Sequence, residues 1–276
     1  ISHMENQETD PQQRQAIMTF FKQGNSQKAL DEATNLLAYF PNSIFLHRIS
    51  GASNFSLKNF DAAILNYKKI LQIKPKDEKT LNNIGIVFQE KGDIKSAISS
   101  YKKAVKVQPD YVEAHKNMAI AYRKQGDFDF ALKSYSKALK INPSFVKALY
   151  GTAATLQLQG NLKAAIGYYE KVLELEPNNF EAHISIGGIQ RQRRDFKNAL
   201  LSTNTALRPK PQNAEGLLNR SMLYLQSGDF INGFLDYQYR FAASSYDVME
   251  RLVNNNEPLA TSKPEWTPSV VSGRVL

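Results

Sequence analysis

Apolar residues recur along this chain one helical turn apart, and the triplet they form then recurs as a unit. Phe60, Ile64 and Tyr67 return as Ile94, Ile98 and Tyr101, as Phe128, Leu132 and Tyr135, and as Leu162, Ile166 and Tyr169. Phe196 with Leu200, and Phe230 with Phe234 and Tyr237, continue the series. Spacings of four and three residues predict one buried face of a helix. The interval from each triplet to the next is 34 residues, so the pattern predicts a repeat architecture rather than one irregular core.

Three further series keep the same register. Prolines stand at 41, 75, 109, 143, 177 and 211. Positions 24, 58, 92, 126, 160, 194 and 228 read Gly, Lys, Gly, Gly, Gly, Arg, Gly, and positions 29 to 199 read six alanines before Gly233. Proline has no N–H to donate and disfavours helix in the residue before it, so it closes the second helix of each repeat. Glycine seventeen residues earlier takes positive φ where the first helix ends. Alanine lets the two helices approach closely, as do the small residues at 51, 85, 119, 153, 187 and 221. Each repeat is therefore predicted to be a helical hairpin, giving seven units over 10–43, 44–77, 78–111, 112–145, 146–179, 180–213 and 214–247, with no internal boundary. Pro209, two residues before Pro211, is expected to end its helix early. The first unit is expected to be the weakest, because Ile17 stands at the small-residue position and Ala33 at the tyrosine position.

Composition narrows the chemistry. With 42% hydrophobic and 22% charged residues, the chain is expected to be ordered over most of its length. It has no cysteine, which excludes disulfides, thiolate catalysis and zinc–sulfur sites. Its net charge of +9 is compatible either with a well-solvated basic surface or with an acidic partner, whether peptide, nucleic acid or anionic lipid. No run approaches the ~18 apolar residues of a membrane span. His47, His115 and His183 share one register position, so they are expected to pack or cap turns rather than to converge on a metal. No catalytic, cofactor-binding or metal-ligating constellation is found. Ile1, Ser2 and His3, ahead of Met4, read as a vector-derived leader, with a flexible start expected over 1–9.

The units resemble tetratricopeptide repeats, as in "AHKNMAIAYRKQGDFDFALKSYSKALKINPSF" from Ala114 to Phe145. The resemblance covers about residues 10 to 247 and implies an all-α fold, a right-handed α-solenoid of seven hairpins. It further implies a concave groove, lined by the first helices, that binds peptide or protein segments and performs no chemistry. By family position the groove receives Phe21, Phe45, Arg48 and Phe55 from the early repeats. Lys79, Asn82, Asn83, Lys116, Asn117, Arg123, Lys124, Tyr150, Arg191 and Asn219 follow. The carboxylate clamp of chaperone-binding members is absent, since Met18, Ala52, Ile86, Ile120, Ala154, Gly188 and Met222 occupy its asparagine position. Asn83, Asn117 and Asn219 match the asparagine ladder with which repeat domains of O-linked sugar transferases hold extended peptides. Gln15, Ile49, Gly151 and Ser185 do not match it. Phe21, Phe45 and Phe55 form either a peptide pocket, a self-association patch or simple packing.

Past Asp247 the period stops. "VMERLVNN" is expected to finish a capping helix, and an extended tail with Trp266 follows to the strand-like "SGRVL". Residues 228–276 resemble the junction in bacterial proteins where such repeats precede a glycosyltransferase-like domain, which implies a further domain beyond Leu276. Arg240, Phe241 and Trp266 are the expected docking residues for it. The leading expectation is a non-catalytic, cytoplasmic scaffold that binds an acidic or extended peptide, without cofactor and without nucleic acid. A substrate-recognition domain of a glycosyltransferase and a self-assembling scaffold are the alternatives.

Overall fold

A computed structural model describes residues 9–239. These form fourteen helices and no strand, in consecutive antiparallel pairs. The first five pairs are α1 (Pro11–Lys22) with α2 (Ser26–Leu37), α3 (Ile44–Ser56) with α4 (Phe60–Ile73), α5 (Glu78–Glu90) with α6 (Ile94–Val107), α7 (Val112–Gln125) with α8 (Phe128–Ile141), and α9 (Val146–Leu158) with α10 (Leu162–Leu175). Then come α11 (Phe180–Gln192) with α12 (Phe196–Leu207), and α13 (Ala214–Ser227) with α14 (Phe230–Tyr237). The hairpins fall where the period places them. The chain divides into two compact units, one ending at Ala182 and one beginning at His183, within α11. The 34-residue register runs through that division unchanged, so the period alone does not reveal it.

Local chemistry sets the helix limits. Asp77 caps α5 by accepting from the Thr80 N–H at 2.8 Å, and Asp93 caps α6 by accepting from Ser96 at 3.0 Å. Gly126 and Gly228 close α7 and α13 in the left-handed region at φ 89°. Where the series departs from glycine, the backbone does not: Lys58 and Arg194 hold φ of 61° and 60°. Asp195 then caps α12 through the Asn198 N–H, whereas Asn59 makes no such bond to α4. Helix α12 ends at Leu207, two register positions before α4, α6, α8 and α10 and two residues before Pro209; α2 ends equally early at Leu37 without such a proline.

In the first unit, the interior of the second to fifth hairpins is a tyrosine held against a small residue. Tyr101, Tyr135 and Tyr169 are fully buried, and Ala63, Ala97, Ala131 and Ala165 have no exposed surface. A Cβ added at Gly51 would lie 2.7 Å from the Tyr67 ring, and one at Gly85 would overlap the Tyr101 ring. Gly151 of the following hairpin approaches Tyr135 just as closely, so that ring is packed by its neighbour's first helix. The first hairpin reverses the sizes: Ile17 is 2% exposed, Ala33 is fully buried, and both belong to one core cluster with Ala29, Leu46 and Ile49. A large residue on the first helix thus replaces the tyrosine of the second.

In the second unit, Gly187 packs against Thr203 in place of a tyrosine. Phe230, Phe234 and Tyr237, expected in the core, are 61%, 54% and 36% exposed, because among the described residues no helix follows α14 to cover them. Arg240, Phe241, Trp266, the expected capping helix and the tail lie outside the described residues.

Candidate functional site

The candidate residues are carried on the first helix of each hairpin, and the structure sorts them by what they already contact. In the first unit, Phe21 and Phe45 are half-buried against the Ile17 cluster, and Phe55 against the cluster around Tyr67, with its ring 6.1 Å from that of Phe60. Arg14 lies over the Phe45 ring at 5.5 Å. These phenylalanines are therefore largely committed to packing.

Arg48 and Lys116 are committed to ion pairs. Arg48 Nη2 donates to Asp77 Oδ2 at 3.4 Å, and Lys74 reaches the same oxygen at 3.3 Å. Burial pushes the Asp77 carboxyl up, but the Thr80 N–H, Lys74 and Arg48 outweigh it and hold it below the usual carboxylate range. Lys116 donates to Glu113 at 2.7 Å. Lys79 and Lys124 are exposed, and Arg123 is half-buried. Tyr150 meets the edge of Tyr169 with ring centroids 5.2 Å apart, and the Tyr169 hydroxyl donates to Gln157 at 3.0 Å.

Two of the asparagines connect the first helices of successive hairpins directly. Asn117 Nδ2 donates to Asn82 Oδ1 at 2.9 Å, joining α7 to α5, with Asn82 4% and Asn117 9% exposed. Beyond this bond, the Asn82 amide N–H groups and the Asn117 carbonyl oxygen are a further donor and acceptor of the pair, in side chains held by burial and by each other. A peptide unit presents the complementary acceptor and donor. Asn83, one residue along α5, is half-buried beside them.

In the second unit, the Arg191 guanidinium lies 3.4 Å from the Met222 sulfur, and Asn219 is half-buried on α13. The strongest polar contact there was not foreseen. Arg220 on α13 grips Asp236 on α14 with two bonds of 2.6 and 2.9 Å and reaches Asn204 on α12 at 3.0 Å. The signal was present: where Arg220 stands, the other repeats carry uncharged residues, and where Asp236 stands all of them do except the first, which has Glu32. Asp77 was also missed; its position, just before a first helix, marks it as a cap.

His47 and His115 cap turns, as their register suggested. His47 Nε2 lies 2.9 Å from the Pro41 carbonyl oxygen and His115 Nε2 lies 2.8 Å from that of Pro109. Among the described residues there is no metal-binding cluster of His, Cys, Asp and Glu, and no helix is long and apolar enough to cross a membrane.

The tetratricopeptide repeat family model matches residues 112–145 and 146–179, and a second TPR repeat model matches 88–126. No curated protein matches the sequence. Among solved structures, MamA is 25% identical, with a TM-score of 0.54 over 62% of this chain and 94% of its own. A tetratricopeptide repeat protein from Parabacteroides merdae is 16% identical, with a TM-score of 0.69 over 88% of this chain and 96% of its own. YrrB, a TPR protein with an unusual peptide-binding site, is 16% identical, with a TM-score of 0.51 over 68% and 97%. Residues 88–179 are thus matched by tetratricopeptide-repeat models, and the chain of helical hairpins around them has the fold of tetratricopeptide-repeat proteins.

Proposed function

We propose that this chain is a non-catalytic scaffold whose first helices hold an extended peptide, with the Asn82–Asn117 pair gripping its backbone. The observation that carries this reading is the amide pair itself: bonded to each other across two hairpins, the side chains hold further donor and acceptor capacity at a fixed spacing. Contacts to backbone amides are indifferent to side-chain identity, so the peptide is selected for being extended more than for its sequence. Lys79, Arg123 and Lys124 add a modest preference for acidic residues, reduced because Arg48 and Lys116 are already paired. Peptide binding by YrrB and the repeat models over 88–179 support the same reading.

A displayed library of unstructured peptides, selected on the purified chain, tests this. Enriched peptides are expected to bind with affinity that falls about tenfold in Asn82→Ala/Asn117→Ala, since two neutral hydrogen bonds contribute about 0.5–1.5 kcal/mol each. No enrichment, or equal binding by the variant, would overturn the proposal. A role in presenting such peptides to a glycosyltransferase domain rests on the resemblance of 228–276. It is tested by whether a joined transferase loses peptide modification in the same asparagine variant.

A further inference from the structure

In the second, third and fourth hairpins the positive charge is concentrated on the second helices, away from the first helices that carry the candidate peptide site. Helices α4, α6 and α8 together carry nine lysines and two acids, Asp61 and Asp129. The first helices between and before them, α3, α5 and α7, carry Arg48, Lys79, Lys116, Arg123 and Lys124 against Glu78, Glu90 and Glu113. All nine second-helix lysines are exposed. Their two acids are already engaged, Asp61 by Lys91 and Asp129 by Gln159.

The lysines are also aligned. Lys69, Lys103 and Lys137 occupy one register position in three successive hairpins, and Lys171 continues it on α10, where Glu170 and Glu174 dilute the charge. Lys68 and Lys102 form a second row, Lys106 and Lys140 a third. At 3.6 residues per turn, these rows lie on the side of each helix opposite the buried alanine and tyrosine rows. Equal positions in stacked, equal hairpins form a continuous basic strip along the first unit.

Apolar side chains flank the strip. Ile73, Ile141 and Leu175 follow the lysines of the first row by four residues, one turn on, and are 42%, 40% and 47% exposed. Leu65 and Phe130, on the same helices, are 60% and 55% exposed. Nucleic acid would reward the charge but not these side chains, and the three helices contain no arginine for bidentate phosphate or base contacts. An anionic bilayer interface rewards both lysine ammonium groups and apolar side chains at its surface.

We infer that the second helices α4, α6 and α8 form a peripheral docking face for an anionic lipid surface, leaving the first helices free for peptide. Co-sedimentation of the full chain with vesicles of equal parts phosphatidylserine and phosphatidylcholine tests this. Binding is expected at low salt, is expected to weaken as salt is raised, and is expected to be absent with pure phosphatidylcholine. Each lysine near an anionic surface contributes about a fivefold factor in partition, so Lys69→Gln/Lys103→Gln/Lys137→Gln should bind about a hundredfold more weakly. The matching triple arginine variant keeps the charge and should bind like the parent, and Asn82→Ala/Asn117→Ala should also be unchanged. Circular dichroism confirms that each variant is folded, as expected for exposed positions. Absence of binding to the anionic vesicles, undiminished binding by the glutamine variant, or binding to duplex DNA or polyglutamate with none to vesicles would each overturn the inference.

Discussion

Replacing Gly85 with alanine tests the packing of the repeat in isolation from other effects. A Cβ at Gly85 overlaps the Tyr101 ring, which is fully buried among Ala97, Ile98, Met118 and Ala121 and has nowhere to retreat. Forcing a methyl group into such a site costs about 1–3 kcal/mol. Alanine also favours helix over glycine by about 1 kcal/mol, which offsets part of that cost. Gly167, within α10, provides the control, because a Cβ there meets nothing within 4 Å. Both substitutions carry the same helical gain, so their difference reports the steric cost alone, about 1–3 kcal/mol. For a chain of this size that separates the two melting midpoints by roughly 2–12 °C, at ~2–4 °C per kcal/mol, with Gly167→Ala above the parent. Thermal unfolding followed by circular dichroism measures it. The first hairpin suggests a rescue: Gly85→Ile/Tyr101→Ala copies its Ile17 and Ala33 and should be more stable than Tyr101→Ala alone, which loses about 3–5 kcal/mol. Equal midpoints for Gly85→Ala and Gly167→Ala, or no rescue, would refute the account of the core.

Lys58→Gly and Arg194→Gly should each stabilise the chain by about 1 kcal/mol, since both side chains are held at positive φ; urea midpoints report the gain. Arg220→Ala should cost about 2–3 kcal/mol by leaving Asp236 mostly buried and unpaired, while Arg220→Met/Asp236→Leu should recover most of it in the same assay. The Asp77 carboxyl is held below its ordinary range when folded, so its contribution is present above about pH 4 and is lost as pH falls through the folded value. Asp77→Asn should flatten that part of an acid titration of stability. Burial pushes the Tyr67 hydroxyl up to about 12 and raises Tyr101 and Tyr135 too, so their contribution is present below about pH 10 and lost as pH rises. Tyrosinate absorbance should therefore rise together with loss of helix; ionisation of these rings without unfolding would contradict their burial.

The period made most of the fold legible, because a 34-residue recurrence of proline, glycine, alanine and tyrosine encodes where helices stop and where they touch. Ile17 and Ala33 were harder to read: each looks like a loss at its own position, and only the shared cluster shows one filling the space the other leaves. Phe230 and Phe234 match the core pattern, but burial of a repeat position depends on the next element in line, which a position-by-position reading does not contain. The groove was legible as a list of residues and not as a set of commitments. Spacing places Asn82 and Asn117 35 residues apart, one more than a repeat, and only the stacking of α5 on α7 shows that they bond. It likewise could not show that Arg48 and Lys116 are neutralised locally, which moves the unpaired charge to the second helices.

The central claim is that peptide backbone is held by the amide groups of the Asn82–Asn117 pair. Side-chain amide resonances of the two asparagines, assigned by their loss in Asn82→Ala and Asn117→Ala and followed while a selected peptide is titrated, test it most directly. The account requires the Asn82 Nδ2 signals to shift in step with binding, with slowed exchange of their protons in the complex. Saturable binding that leaves both asparagine resonances in place and perturbs only the second helices would contradict it.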